Sequence, residues 1–183
     1  MPHIHTEPGQ IDHTVTAYII RTDGDEPRAL LHMHKKLHHL LPVGGHIELH
    51  ETPWAAVVHE IEEEAGYQIE DLMILQPKAR IDTCPDIVVH PTPFFANTHA
   101  ITDRHYHSDV AYIFTSRTAP TQLPADAESQ DVRWFTRKEI AELAEGDILE
   151  NIKHTYLAVF DVFLKAYEPV STSSYVMGVL HSA

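Results

Sequence analysis

The sequence predicts a mixed α/β or α+β domain, with a mixed sheet held between helical layers. Three observations carry this prediction. β-branched and aromatic runs of strand length are interleaved with segments of helical periodicity. The chain has 183 residues, enough for one domain with a full hydrophobic core. Cys84 is the single cysteine, so no internal disulfide stands in for that core, and a reducing cytosol suits the chain. The domain is expected to cover residues 1–168, with a C-terminal tail over 169–183.

The elements follow in order. "HTVTAYIIR" (His13–Arg21) reads as a strand, "TDGDEP" as a turn, and "ALLHMH" (Ala29–His34) as the hairpin partner. "KKLHHLLPVGG" reads as a loop leading to Gly44 and Gly45. A helix then starts with Thr52 as N-cap and Pro53 in the first turn, and runs to about Ala65, where Gly66 stops it. "YQIEDLMIL" is extended, and "PFFANTHAI" and "SDVAYIFTS" are strands joined by a "TDRHYH" loop. "RTAPTQLPADAESQ" is a polar surface loop and "VRWFT" a short strand. "TRKE" supplies a capping box, with Thr136 at the N-cap and Glu139 at N3. Apolar residues recur at helical spacing from Ile148 to Tyr167, which predicts a long amphipathic helix. The tail docks through Val176, Val179 and Leu180 or stays disordered; the pattern leaves both open.

Composition excludes several classes. A formal net charge of −14 opposes counterion-release binding to a nucleic acid polymer, which needs clustered Lys and Arg. No apolar run approaches the ~20 residues that span a bilayer, and the N-terminus has no signal-peptide pattern. A soluble, cytoplasmic protein is the expectation. An acidic chain can still take a phosphorylated ligand when divalent cations bridge the two.

"HEIEEEAG" (His59–Gly66) poses the chemical question. Like charges three or four apart on a helix cost about 0.2–0.5 kcal/mol per pair. At ~100° per residue, Trp54, Val57, Val58, Ile61 and Ala65 share the buried face. Glu60, Glu63 and Glu64 share another, Ala56 lies among them, and Glu62 points to solvent. Such a wall of carboxylates is either a solvated acidic face or a site for hard divalent cations, which prefer oxygen ligands.

"GHIELHETPWAAVVHEIEEEAGY" resembles the Nudix box, G-x5-E-x7-R-E-U-x-E-E-x-G-U, where U is a bulky aliphatic residue. Gly45, Glu51, Glu60, Ile61, Glu63, Glu64 and Gly66 fit it, and "LPVGG" resembles the usual lead-in. His59 stands where the pattern has arginine, and Tyr67 where it has an aliphatic residue. The resemblance implies a Nudix-like α/β/α sandwich and a pyrophosphohydrolase dependent on Mg²⁺, with Mn²⁺ as the substitute ion. Its substrate would be a nucleoside diphosphate linked to another group X: a sugar nucleotide, a dinucleotide or a nucleoside triphosphate. The rival reading is a Nudix-like domain that senses a nucleotide without turning it over. The intact glutamates and the lack of an accompanying DNA-binding domain favour catalysis.

Carried over by position, the resemblance makes Glu60 and Glu64 the main metal ligands. Glu63 becomes a further ligand or the general base, although in the family the base sometimes lies outside the box. Gly44 would lend its carbonyl, and Glu51 would anchor the loop. The family's arginine pairs with that loop glutamate, so His59 is expected either to bond Glu51 more weakly or to be a tolerated replacement. Family members often pair, so the last helix and tail form a homodimer interface or pack on their own sheet.

Other residues carry weaker signals. His105, His107 and Asp109 alternate and would share a strand face, within reach of metal or phosphate, as would Arg104. The ordinary reading is polar strand-end groups. His32 and His34 also alternate, with His38 and His39 following, but their spacing fits no closed zinc site well. Phe94, Phe95, Tyr112 and Trp134 either stack on a base or fill the core, the more usual role. Cys84 is read as a bystander.

Overall fold

The computed structural model describes Glu7 and residues 9–175. Its centre is a parallel pair, β1 (Ile11–Arg21) and β7 (His105–Ser116), in unbroken register from Ile11 opposite Tyr106 to Arg21 opposite Ser116. Every other ladder between named strands is antiparallel. β2 (Arg28–Met33) meets the end of β1, β3 (Leu40–Leu41) and β8 (Val132–Thr136) flank β2, and β4 (Val43–His46) pairs the first half of β1. β5 (Met73–Gln76) and β6 (Phe95–Thr102) pair the two halves of β7. β9 (Glu168–Ser171) adds to β5, so the first residues of the expected tail belong to the sheet. Val176, Val179 and Leu180 lie outside the described residues.

Strand alternation separates two cores. Val15, Ala17 and Ile19 of β1, with Tyr112 and Phe114 of β7, pack beneath Trp54, Val57 and Ile61 of helix α1 (Pro53–Glu60) and its extension. Trp54 stacks on Phe114 with ring centroids 6.1 Å apart. Tyr18, Ile20, Ala111 and Ile113 face the other way, beneath helix α3 (Glu150–Ala158) and the residues after it. There the hydroxyl of fully buried Tyr156 donates to the Leu30 carbonyl at 2.6 Å. The short helix α2 (Arg137–Glu142) precedes α3 and carries the expected capping box. The result is the mixed sheet between helical layers that the sequence predicted, and the last helix packs on its own sheet.

Four details differ from the sequence reading. Gly44 and Gly45 lie in β4, not in a loop, because the Val43–His46 backbone pairs β1 from Ala17 back to Thr14. "TDRHYH" shrinks to a turn at Asp103 and Arg104, since β7 starts at His105. The last helix begins at Glu150, widens into a π turn over Val159–Phe163 and ends at Ala166. Ala56 is buried in the core rather than open among the carboxylates, because the sheet covers a wider stripe of α1 than the strict apolar face. Among the described residues, no helix is long and apolar enough to cross a membrane.

Candidate active site

The acidic helix starts as its sequence predicts. The Thr52 hydroxyl accepts from the Ala55 N–H at 3.2 Å, and Pro53 opens the first turn. At Ile61 the helix widens into a π turn that runs to Ala65, a local device often found at functional sites. Gly66 then closes it at φ 68°, in the left-handed region. A Cβ on Gly66 would lie 2.2 Å from the Gln122 carbonyl oxygen, so the glycine serves both the turn and a close backbone approach. The loop after β7 docks there: the Gln122 N–H donates to the Gly66 carbonyl and the Ala125 N–H to the Glu63 carbonyl.

The carboxylates divide by environment. Glu60 and Glu64 are buried at 4% and 7% exposure, Glu63 is half-buried and Glu62 is exposed. Burial pushes the Glu60 carboxyl up to about 7; the His59 charge opposes this, while Glu63 and Glu128 add to it. Burial pushes Glu64 up to about 8 against the hydrogen bond it accepts from the Gly44 N–H at 2.9 Å. Neighbouring Glu60 and Glu128 raise it further. Glu60 Oε1 is buried without a hydrogen-bond partner among the described residues. Gly44 can approach β1 this closely because it lacks a Cβ, which would lie 2.3 Å from the Val15 carbonyl oxygen.

His59 does meet Glu51, with Nδ1 3.4 Å from Oε1, and its other nitrogen lies 3.0 Å from Glu63 Oε1. One ring thus bridges the loop glutamate and the helix, and it serves both carboxylates as a donor only when protonated. Partial burial opposes that charge; the Glu63 hydrogen bond and the carboxylates of Glu63, Glu51 and Glu60 outweigh it and raise the ring's pKa. Glu51 also ties its own loop, accepting from the Glu48 N–H at 3.2 Å.

The structure therefore brings Glu60, Glu63, Glu64, Gly44, Glu51 and His59 together. It adds two residues. His32 Nε2 lies 3.7 Å from Glu64 Oε2, but burial holds this histidine neutral, down to about 4, so the contact is not an ion pair. Glu128, half-buried in the docked loop, is felt by both buried glutamates. The alternation of His32 was legible; its approach to Glu64 depends on long-range pairing. Nothing in the polar loop distinguishes Glu128.

Arg104, His105 and His107 part company with this group. The Arg104 side chain is 73% exposed on the β6–β7 turn, beside Asp103. His105, His107 and Asp109 share a β7 face, as expected, but it is the sheet face turned away from α1. The buried Asp109 carboxylate accepts from the Thr14 and Thr16 hydroxyls and from Asn97 Nδ2. Tyr112 is core, Phe94 packs on Tyr18 and Phe163, and Trp134 lies under the Arg21 guanidinium, whereas Phe95 is exposed. Cys84 is exposed.

A mixed sheet between helices, with buried carboxylates on a glycine-stopped helix, fits a hydrolase acting on phosphoric anhydride bonds, and the family match carries that class. The NUDIX domain profile matches residues 12–155, so the chain belongs to the NUDIX family and is a Nudix-type hydrolase. Among solved structures, a NUDIX-family hydrolase from Clostridium perfringens is 27% identical, with TM-score 0.65, covering 82% of this chain and 97% of that one. A C. elegans Ap4A hydrolase binary complex is 20% identical, with TM-score 0.61, covering 84% of this chain and 98% of that one. The NUDIX domain of Shewanella oneidensis NrtR complexed with ADP ribose is 16% identical, with TM-score 0.54, covering 80% and 87%. No curated protein matches the chain.

Proposed function

We propose that the chain is a Mg²⁺-dependent pyrophosphohydrolase of a nucleoside diphosphate linked to another group X, taken as a sugar nucleotide, a dinucleotide or a nucleoside triphosphate. One observation carries this reading. Glu60 and Glu64 are buried side by side with raised pKa values, and Glu60 Oε1 has no hydrogen-bond partner among the described residues. Buried carboxylates that strain against their charge are what a hard divalent cation relieves, and an all-oxygen donor set suits Mg²⁺, or Mn²⁺ in its place. When bound, the ion supplies charge neutralisation for the diphosphate and acidity for a coordinated water.

The chain's own residues do the rest. Glu60, Glu64 and the Gly44 carbonyl would hold the ion, and the Gly44 N–H fixes the Glu64 carboxylate at 2.9 Å. Glu63 serves as ligand or proton acceptor, and Glu128 is a second carboxylate available for the proton. His59 acts as a positioning residue, binding Glu51 and Glu63 together. The Ap4A hydrolase and the ADP-ribose complex among the similar folds agree with a substrate built on a nucleoside diphosphate. A homodimer stays part of the proposal, through the face of the last helix that does not pack on its own sheet.

The test is turnover of a nucleotide panel with and without Mg²⁺. Wild type is expected to release a nucleoside monophosphate or a phosphorylated X. Glu60→Gln and Glu64→Gln should lose on the order of 10²–10³ in kcat, matching several kcal/mol of lost charge stabilisation. Nucleotide binding without turnover in any metal would overturn the proposal in favour of a sensor.

A further inference from the structure

The sheet face turned away from α1 carries a polar cluster that the hydrolytic site does not use. Asp12 of β1 is fully buried, and it stands opposite His107 in the parallel β1–β7 register. His105 lies two residues before His107, so both rings project from the same face of β7. A carboxylate oxygen of Asp12 and one ring nitrogen each from His105 and His107 all lie within 4.8 Å of one another. His105 Nε2 is 3.2 Å from Asp12 Oδ2, and His46 Nε2 of β4 reaches the same oxygen at 3.3 Å.

The 3.2 Å between His105 and Asp12 is close to the ~3.3–3.4 Å that an ion ~2.0–2.1 Å from tetrahedral ligands imposes, and the His107 donor lies within 4.8 Å of both. The donor chemistry selects the ion class. Two imidazoles and one carboxylate are borderline ligands, suited to zinc and its transition-metal neighbours rather than to Mg²⁺. The surroundings suit a fixed centre too. The His107 ring packs edge-on against His46 and His99, with centroids 4.9 and 5.5 Å away, and the His105 side chain is 12% exposed.

We propose that Asp12, His105 and His107 form a transition-metal site of the zinc class, separate from the carboxylates on α1. His46 flanks the Asp12 carboxylate, with its Nε2 3.3 Å from the same oxygen. The centre fastens the starts of β1 and β7 to the end of β4, two residues beyond Gly44. Its role is structural support for the sheet end that carries the Gly44 strand.

The test uses the full chain, stripped with a chelator and titrated with Zn²⁺ alone against a chromophoric competitor, with bound metal counted by mass spectrometry. The background is Glu60→Gln/Glu64→Gln, so the proposed Mg²⁺ site does not contribute and no activity is read. One tight zinc equivalent should remain in that background. His105→Ala and His107→Ala should each weaken it at least about 10-fold, since even outer-shell losses cost that much. Co²⁺ loaded into the same chain should show the intense visible bands of a tetrahedral ion. Zinc affinity unchanged by His107→Ala, or weak equivalents only, would overturn the proposal. Should the variants fail to fold, a Co²⁺ spectrum of octahedral type in the otherwise unaltered background overturns it equally.

Discussion

Replacing the two buried glutamates by glutamine should remove the pH dependence they impose on stability. Glu60 and Glu64 titrate near 7 and 8 in the folded chain without metal, because burial disfavours their charge. Their ordinary value is 4.5. The folded state therefore holds more protons than the unfolded state between those limits. Stability falls with rising pH wherever the native state binds the extra protons. Across pH 6 to 8 the integrated difference is roughly 2.7 proton–pH units, on the order of 3–4 kcal/mol at about 1.4 kcal/mol per unit. Buried histidines such as His32 act in the opposite sense at lower pH, so the comparison must be differential. The assay is urea denaturation of wild type and Glu60→Gln/Glu64→Gln at both pH values, in chelator. The glutamine variant keeps an acceptor for the Gly44 N–H and does not titrate. Its advantage over wild type should widen by that amount from pH 6 to pH 8. Mg²⁺ should then recover wild type at pH 8 and leave the variant unmoved. A stability gap that stays constant with pH would refute the claim that these carboxyls are buried and strained.

Three further outcomes follow from the same geometry. His59→Arg should keep or raise activity and flatten its pH profile. The histidine bridge is complete below pH 6.5 and is lost as pH rises through the raised folded value, whereas arginine stays charged; a pH–rate series checks this, and loss of activity in a folded variant would refute the bridge. Gly66→Ala should destabilise the chain by about 1–3 kcal/mol in urea melts and free the Gln122–Ala125 loop to proteolysis, because a Cβ meets the Gln122 carbonyl. Tyr156→Phe should cost about 1 kcal/mol by thermal or urea denaturation, the loss of one buried hydrogen bond to Leu30.

Local signals in the sequence reached far where the chemistry is local. The N-cap at Thr52, the stop at Gly66 and the apolar face of α1 rest on neighbouring residues, and all three appear as expected. The meeting of His59 and Glu51 was one of the two outcomes that the resemblance to the Nudix box implied. Features set by pairing across the sheet were not legible. Gly44 and Gly45 look like loop residues until β1 is placed beside them. The π turn at Ile61–Ala65 has no marker in a run of glutamates, yet it separates inward Glu64 from half-exposed Glu63. Asp12 gives no sign of itself in "QIDH", and only the parallel register brings it to His105 and His107. For the same reason the sequence left open whether those histidines reach metal or phosphate or are polar strand-end groups, and they lie on the sheet face turned away from α1.

The most direct measurement is anomalous diffraction from a crystal soaked in Mn²⁺ with a non-hydrolysable nucleoside diphosphate analogue. The account predicts a manganese peak within about 2.1–2.3 Å of the Glu60 and Glu64 carboxylates, bridged to the diphosphate. Carboxylates turned to solvent, with no peak beside them and the analogue bound elsewhere, would contradict it.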